Sequence, residues 1–316
     1  MINEEIREIR RSGIGGSDIG AILGLSRFRS PYDVYLSKIG EEEELPENEA
    51  IHWGNVLEDV VAREYQERTG RKVQRINSVI RHPDCQWAIA NLDRAVVNPE
   101  IKGRVFIDKE SGYLTTDRIL ECKTANGFAT KMWGEPGSDF VPDAYFCQVQ
   151  WYMFVTGAKV ADLAVLIGGQ DYRIYTIQRD EPFIIHIHNK ALHFWLENVQ
   201  KRVPPAPLTA QDAARRYPTP EAGKMAVASE AAYKAWQELE NVKAEKKALD
   251  ELESRLKGQI MAEMGDAETI TFDGTPLATW KSRTSSRLDT KLLKAEHPDI
   301  YSLYTKTSES RTFLIK

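Results

Sequence analysis

The chain has 316 residues, 42% hydrophobic and 28% charged, the balance of a soluble globular protein with enough length for one large domain or two smaller ones. A net charge of −5 excludes a uniformly basic nucleic-acid binder, although affinity for phosphate depends on local clusters of base. No apolar run approaches a membrane span, Met1-Ile2-Asn3-Glu4-Glu5 has no signal-peptide pattern, and Cys85, Cys122 and Cys147 lack CxxC spacing or a fourth metal partner, so a reducing cytoplasm is expected.

In chain order, Asn3–Ser12 reads as a short basic amphipathic helix. Gly13-Ile14-Gly15-Gly16-Ser17-Asp18 is a glycine turn feeding a second helix, with Ser17 or Asp18 as N-cap and Gly24 as its end. Ser30-Pro31 starts a third helix that Gly40 stops, and Glu41–Glu44 is an acidic loop. Gly54 to Thr69 forms an amphipathic helix with Val56, Leu57, Val60, Val61 and Tyr65 on its apolar side and Gly70 as C-cap. Lys72–Arg81, Trp87–Val97, Arg104–Lys109 and Arg118–Thr124 then read as strands. Ala144–Gly157 returns to helix, Val160–Ile167 and Tyr172–Gln178 to strand, and Pro182–Arg202 to a long helix. This order describes an α/β domain with a mixed central sheet over residues 1–203.

A Pro-rich linker, with Val203-Pro204-Pro205-Ala206-Pro207 and then Pro218 and Pro220, is expected over 204–228. In 229–316 the first element is a charged helix, Ser229–Met264, with Ala235, Leu239, Val242, Leu249, Leu252, Leu256 and Ile260 at three- and four-residue spacing. An antiparallel helical hairpin or a coiled-coil-like partner would cover that face, and Lys246 interrupts it. A small α+β tail follows, basic and aromatic, which reads either as a folded cap or as a DNA-contacting surface.

The chemistry centres on Ile119-Leu120-Glu121-Cys122-Lys123-Thr124. On a half-buried strand Glu121 and Lys123 share a face, roughly 6.5–7 Å apart, while Leu120 and Cys122 face the core. Asp93, in Ala90-Asn91-Leu92-Asp93, offers a second carboxylate at the end of another apolar run. Two acids and a lysine at adjoining strand ends suit Mg²⁺-assisted phosphodiester cleavage, since hard oxygens hold the metal and the ammonium orients water or neutralises phosphate. The bland alternative is a solvated Glu-x-Lys pair. Glu58 is either an ordinary acid near a helix start or a third metal ligand. Gln148 and Tyr152, at i and i+4, share a helix face that is either buried core or part of the site. Gly15-Gly16-Ser17-Asp18 is either a plain cap or, with Arg10, an anion pocket.

Taken in order, Gly-Gly-Ser-Asp (15–18), Trp-Gly-x-x-x-Glu (53–58), Asn-Leu-Asp (91–93), Leu-Glu-Cys-Lys (120–123) and Gln-x-x-x-Tyr (148–152) resemble the YqaJ-type viral recombinases. These are phage alkaline exonucleases akin to lambda exonuclease, in the PD-(D/E)XK superfamily with its restriction-endonuclease-like core. The resemblance covers residues 5–200 and implies Asp93, Glu121 and the Cys122 carbonyl as metal ligands, Glu58 as the helix-borne acid and Lys123 as the catalytic lysine. It further implies Gln148 and Tyr152 as the helix pair, and Arg10, Ser17 and Asp18 at the DNA 5′ end. The gap from Asp93 to Glu121 is long for the family and holds two rival acids, Asp108 and Asp117.

The expected activity is a Mg²⁺-dependent exonuclease, with Mn²⁺ able to substitute, that degrades one strand of linear duplex DNA from a 5′ end. The 3′ overhang would serve a single-strand annealing protein in phage-type recombination inside the bacterial host cell. The resemblance also implies a homo-oligomer, with ring-shaped trimers known in the family. The alternatives are a structure-specific endonuclease or resolvase on the same fold, and a non-catalytic scaffold for DNA ends.

Overall fold

Strand β5 (Arg118–Ala125) runs through the middle of a five-stranded mixed sheet of order β1-β4-β5-β6-β7. The computed structural model describes residues 4–42, 48–307 and 310–315, with side chains from residue 8 onward. The expectations for Met1–Asn3, Glu43, Glu44, the side chain of Arg7 and Lys316 lie outside the described residues. The chain divides into two compact units, Met1–Tyr217 and Pro218–Lys316. Among the described residues no helix is long and apolar enough to cross a membrane.

In the first unit β1 (Val73–Arg75) pairs antiparallel with β4 (Arg94–Val96), and β4 with β5. β5 runs parallel to β6 (Val160–Ile167), joined through helix α5 (Asp143–Thr156), and β7 (Asp171–Gln178) closes the far edge antiparallel to β6. Helix α4 (Glu49–Thr69) covers one face, where Val61, Ala62 and Tyr65 pack on Leu120, Cys122 and Ala164. The other face lies under α5 and the short helix α2 (Gly16–Ile22), around the fully buried Trp151. The Trp151 indole N–H is shared between the carbonyls of Ile14 and Ile89. Helix α1 (Glu4–Arg11) precedes α2, and α3 (Pro31–Ile39) follows it between Ser30 as N-cap and Gly40 as C-cap, as the sequence indicates.

Several elements differ from the sequence pattern, each for a local reason. Helix α4 starts at Glu49 rather than Gly54 because Asn48 caps it, its side chain accepting the Ile51 N–H at 3.0 Å. Val56 and Val60, expected on the buried side, are exposed, and burial begins at Val61. Helix α2 is capped by Gly15, with Asp18 reaching back to the Gly15 N–H, rather than by Ser17 or Asp18. The two long strands expected at 72–81 and 87–97 each break in two. Their outer halves enter the sheet as β1 and β4, while β2 (Ile80–Arg81) and β3 (Ile89–Ala90) form a separate ribbon. Residues 104–109 make a single bridge, Ile107 to Leu114, because the Gln74 side chain takes the place of a strand partner by bonding both N–H and C=O of Val105. Helix α6 (Glu181–His193) passes into a π-helical stretch, Phe194–Gln200.

The segment expected as a linker is partly folded. Helix α7 (Ala210–Arg216) buries Asp212, which accepts from the Ser30 hydroxyl at 2.8 Å, and Arg215 pairs with Asp33 at 2.5 Å. In the second unit, α8 (Glu230–Met264) is one 35-residue helix. It is followed by the hairpin of β8 (Thr269–Phe272) and β9 (Thr275–Thr279) and by α9 (Thr290–Glu296) and α10 (Pro298–Tyr304), not by the second arm of a helical hairpin.

The sheet is anchored by Asp162 on β6, which is fully buried. Its carboxylate accepts from Tyr65 at 2.5 Å, Arg118 at 2.7 Å, Thr176 at 2.8 Å and Arg71 at 3.3 Å, tying α4, β5, β7 and the α4–β1 turn to one point. Asp162→Ala leaves the buried Tyr65 phenol and the largely covered Arg118 guanidinium without an acceptor, while the more exposed Arg71 can turn to water. The cost is therefore at most that of breaking a fully buried network, about 3–5 kcal/mol. Urea unfolding followed by circular dichroism checks this, and a loss below about 1 kcal/mol would mean the network is dispensable.

Candidate functional site

Glu121 and Lys123 do share a face of β5, but the strand is covered on both sides, so Glu121 is only 3% exposed instead of half-buried. Its Oε1 accepts from the Lys123 ammonium at 2.6 Å and from the Gln148 amide at 2.6 Å. Its Oε2 is buried with no hydrogen-bond partner. Gln148 also donates to the Tyr152 hydroxyl at 3.0 Å, so the i, i+4 pair on α5 lies directly over the strand acid. The Lys123 ammonium sits 5.0 Å from the centre of the Tyr145 ring, one further turn back along α5.

Asp93 reaches the same point from the break between β3 and β4. Its Oδ2 accepts the Cys122 N–H at 2.8 Å, which places a second, half-buried carboxyl against β5. Burial, and then the negative charge of Glu121, push the Asp93 carboxyl well above the usual carboxylate range, against the pull of Lys123 and the Cys122 N–H. Burial disfavours the charged Lys123, but Glu121 and Asp93 together outweigh it and raise its pKa above that of an ordinary lysine. Burial and the two acids likewise keep the Tyr152 phenol protonated. The Cys122 thiol packs on the α4 side and burial raises its pKa, so what that residue could offer a cation is its backbone carbonyl.

Glu58 lies in the third turn of α4, beyond the reach of a helix-start dipole, and pairs with Arg94 at 2.6 Å. The buried Arg94 also holds Asp59 and donates to the Asp93 carbonyl. The rival acids lie elsewhere. Asp108 is half-buried and accepts the N–H groups of Glu110 and Ser111 in a turn, and Asp117 accepts from Asn98 at 3.1 Å.

The glycine turn stands on the same α5 surface. A Cβ on Gly16 would lie 2.5 Å from Cε1 of Tyr152, so only glycine lets α2 approach α5 there. Ser17 and Arg10 are exposed, and the charge of Arg10 is felt at the Tyr152 hydroxyl. Asp18 is buried, bonded to Lys38 at 2.7 Å, to Arg29 at 3.0 Å and to the Gly15 N–H. It is therefore turned away from any solvent-borne phosphate, and it removes the Gly15 N–H from the expected anion pocket. Lys38 in turn donates to the Arg10 carbonyl at 2.7 Å, fixing the end of α1 over α2. The contacts of Arg94, Lys38 and Tyr145 were not foreseen from the sequence, and Arg29 stood there only as half of a basic pair with Arg27. Only Arg94 carried a signal, as the residue after Asp93 in Asn-Leu-Asp-Arg.

Among the described residues no three His, Cys, Asp or Glu side chains are already gathered as a metal cluster, because Glu58 is turned to Arg94. The donor set nevertheless fits a hard divalent cation. A buried and a half-buried carboxyl face each other, one oxygen of Glu121 is orphaned, and a single lysine offsets the charge. Asp93, Glu121 and the Cys122 carbonyl are the groups that would hold such an ion.

A stability prediction follows from the sign of the Asp93 shift. Its folded pKa lies above the unfolded value of 3.8, so the folded state favours the protonated acid, and stability is lost as pH rises from 3.8 through the folded pKa. At neutral pH and without divalent ions, Asp93→Asn should therefore raise the Tm. Adding Mg²⁺ should raise the Tm of the wild type but not of Asp93→Asn or Glu121→Gln. Thermal melts with and without EDTA decide it, and an equal response to Mg²⁺ in all three proteins would remove the ion from this site.

A family model described as the YqaJ-like viral recombinase domain matches residues 6–159. The chain is 35% identical over 315 residues to the uncharacterized protein YqaJ of Bacillus subtilis (strain 168), spanning 97% of this chain and 92% of that one. Among solved structures it is similar to an alkaline exonuclease, LHK-Exo, from Laribacter hongkongensis, at 20% identity over 64% of this chain and 94% of that chain, with a TM-score of 0.48. It is also similar to a phage-related exonuclease from Haemophilus somnus 129PT, at 11% identity over 63% of this chain and 98% of that chain, with a TM-score of 0.41.

Proposed function

The chain belongs to the YqaJ-like viral recombinase family, and from that premise we propose that it is a metal-dependent deoxyribonuclease acting on the ends of duplex DNA. The observation that carries the proposal is Glu121, buried with Lys123 and Gln148 on one carboxylate oxygen and nothing on the other, beside a second, half-buried acid. Mg²⁺ (or Mn²⁺ in its place) on Asp93, Glu121 and the Cys122 carbonyl would supply Lewis-acid polarisation of the scissile phosphate and a water of lowered pKa. Lys123, protonated and held by Glu121, stands where it can donate to the attacking water or to a phosphate oxygen. Gln148 fixes Glu121 and Tyr152 in one arrangement, so the acid keeps its free oxygen aimed into the site. Glu58 is the third acid of the set and is kept in reserve by Arg94.

Within this reading the enzyme degrades one strand from the 5′ end and leaves a 3′ overhang for a single-strand annealing protein, in the cytoplasm of a bacterial host. It works as a homo-oligomer, with a ring-shaped trimer as the arrangement that keeps hold of the duplex. Arg10 and Ser17, exposed above Tyr152, meet the terminal phosphate, while Asp18 acts from below by holding Arg29 and Lys38. An endonuclease or resolvase would use the same acids and lysine, so the test compares substrates.

Incubation with Mg²⁺ should shorten a linear duplex and leave a covalently closed circle intact. A nicked or linearised circle would favour the endonuclease, and no reaction on either would leave a binding scaffold. Lys123→Ala should fold normally, retain the Mg²⁺-induced rise in Tm and lose about 100-fold or more in rate. A variant with near wild-type turnover would displace Lys123 from the mechanism.

The 5′ terminus gives a separate prediction. A terminal phosphomonoester carries more charge than an internal diester, so a 5′-phosphorylated duplex should be degraded faster than its 5′-hydroxyl counterpart. Arg10→Ala should erase that preference, and Arg10→Lys should restore it poorly because the planar fork is lost. Initial rates on the two ends at low salt measure it, and equal wild-type rates would leave Arg10 as a solvated basic residue.

A further inference from the structure

We propose that helix α8 pairs antiparallel with α8 of a second copy of this chain, the two-fold axis passing between Lys247 and Ala248. At 35 residues and about 1.5 Å per residue the helix is roughly 50 Å long. Leu239, Val242, Leu249, Leu252, Leu256 and Ile260 are exposed along it, and Met264 is its one buried residue among those described. The other helices of its unit, α9 and α10, have seven residues each and are too short to cover such a face.

Ala235, Leu239, Val242, Lys246, Leu249, Glu253, Leu256 and Ile260 alternate four and three apart, the spacing of a seam between two long helices. The charges on that seam select the direction. In a parallel, in-register pair Lys246 would face Lys246 and Glu253 would face Glu253. In an antiparallel pair about the stated axis, Leu239 layers with Leu256, Ala235 with Ile260, Val242 with Glu253 and Lys246 with Leu249. Lys246 and Glu253 then sit in adjacent layers of opposite chains, within reach of each other.

The flanking positions select the register. About this axis Lys243 of one copy stands beside Asp250 of the other, and Trp236 beside Lys257, each twice by symmetry. Sliding one helix by a heptad in one direction puts Lys243 against Lys257 and Asp250 against itself. Sliding the other way puts Lys243 against itself and Trp236 against Asp250. Asp250 and Lys246 form no ion pair within the described chain, while Lys243 and Lys257 hold only exposed intrahelical partners, Glu240 at 3.9 Å and Glu253 at 2.6 Å. Such pairs are weak enough to exchange for an interchain one.

Two measurements on the full chain test the pairing. A mixture of Leu239→Cys and Leu256→Cys chains, one carrying a size tag, should give the mixed disulfide on mild oxidation. Disulfides joining two Leu239→Cys chains would show a parallel pair, and absence of any cross-link would show that the face is covered otherwise; either overturns the proposal. In sedimentation velocity Lys243→Glu should weaken the self-association by about tenfold or more, since two like-charge contacts replace two opposite ones. Adding Asp250→Lys to the same chain should restore it. An unchanged association in Lys243→Glu, or no restoration in the double variant, overturns the register.

Discussion

Everything distinctive about the first unit depends on putting an acidic side chain, Glu121, in the interior of a sheet covered on both faces. Such a group is costly to bury unless it is paired and hydrogen-bonded. The fold meets half of that demand, with Lys123 from the same strand and Gln148 from the crossover helix on one oxygen, and leaves the other oxygen bare. Asp162, one strand away, shows that the same sheet can satisfy a buried carboxylate completely, with four donors from four directions. The difference between the two acids makes Asp162 a scaffold group and makes Glu121 the acid to which the proposed function assigns the chemistry. A stable fold had no need to leave Glu121 incomplete, or to desolvate Asp93 beside it, which raises the Asp93 pKa.

The geometry that delivers Asp93 is itself a departure from regularity. A continuous strand over 87–97 would have carried that side chain along one edge of a ladder. The break at Asn91–Asp93 instead lets the carboxyl turn inward to the Cys122 N–H. Arg94, next along, holds Glu58, Asp59 and the Asp93 carbonyl, so the turn is locked by charge as well as by backbone. This cross-link between α4 and the sheet also explains why Glu58 sits beside the site without entering it.

Much of this was legible in the sequence, where local chemistry decided the outcome. Ser30, Pro31 and Gly40 bound α3, Gly157 ends α5, and the apolar run of 160–167 is β6, because caps and periodicity act over a few residues. The Glu121, Lys123, Gln148 and Tyr152 group was legible because strand period two and helix spacing four put those side chains on faces that the fold then brings together. What sequence spacing could not reveal were long-range substitutions of one partner for another. Gln74 takes the part of a strand for Val105, and Lys38 neutralises an Asp18 that the sequence offered as a cap or an anion-pocket residue. Each depends on residues about twenty to thirty positions away, whose meeting only the assembled fold defines. The Asn48 cap that extends α4 is, by contrast, a local signal three residues from its donor.

The approach of α2 to α5 links the two halves of the proposed chemistry. Gly16 has no side chain because Tyr152 occupies the place, and Tyr152 is bonded through Gln148 to Glu121. The turn that carries Ser17 is therefore mechanically continuous with the acid that would hold the metal, through two side chains and one close contact. Lys38 extends the chain of contact to the end of α1, where Arg10 stands. A phosphate drawn to Arg10 and Ser17 would be positioned relative to Glu121 by packed atoms, not by flexible loops. Spacing of that kind is set by the closest approach of two helices, and it is lost once a methyl group is placed at residue 16.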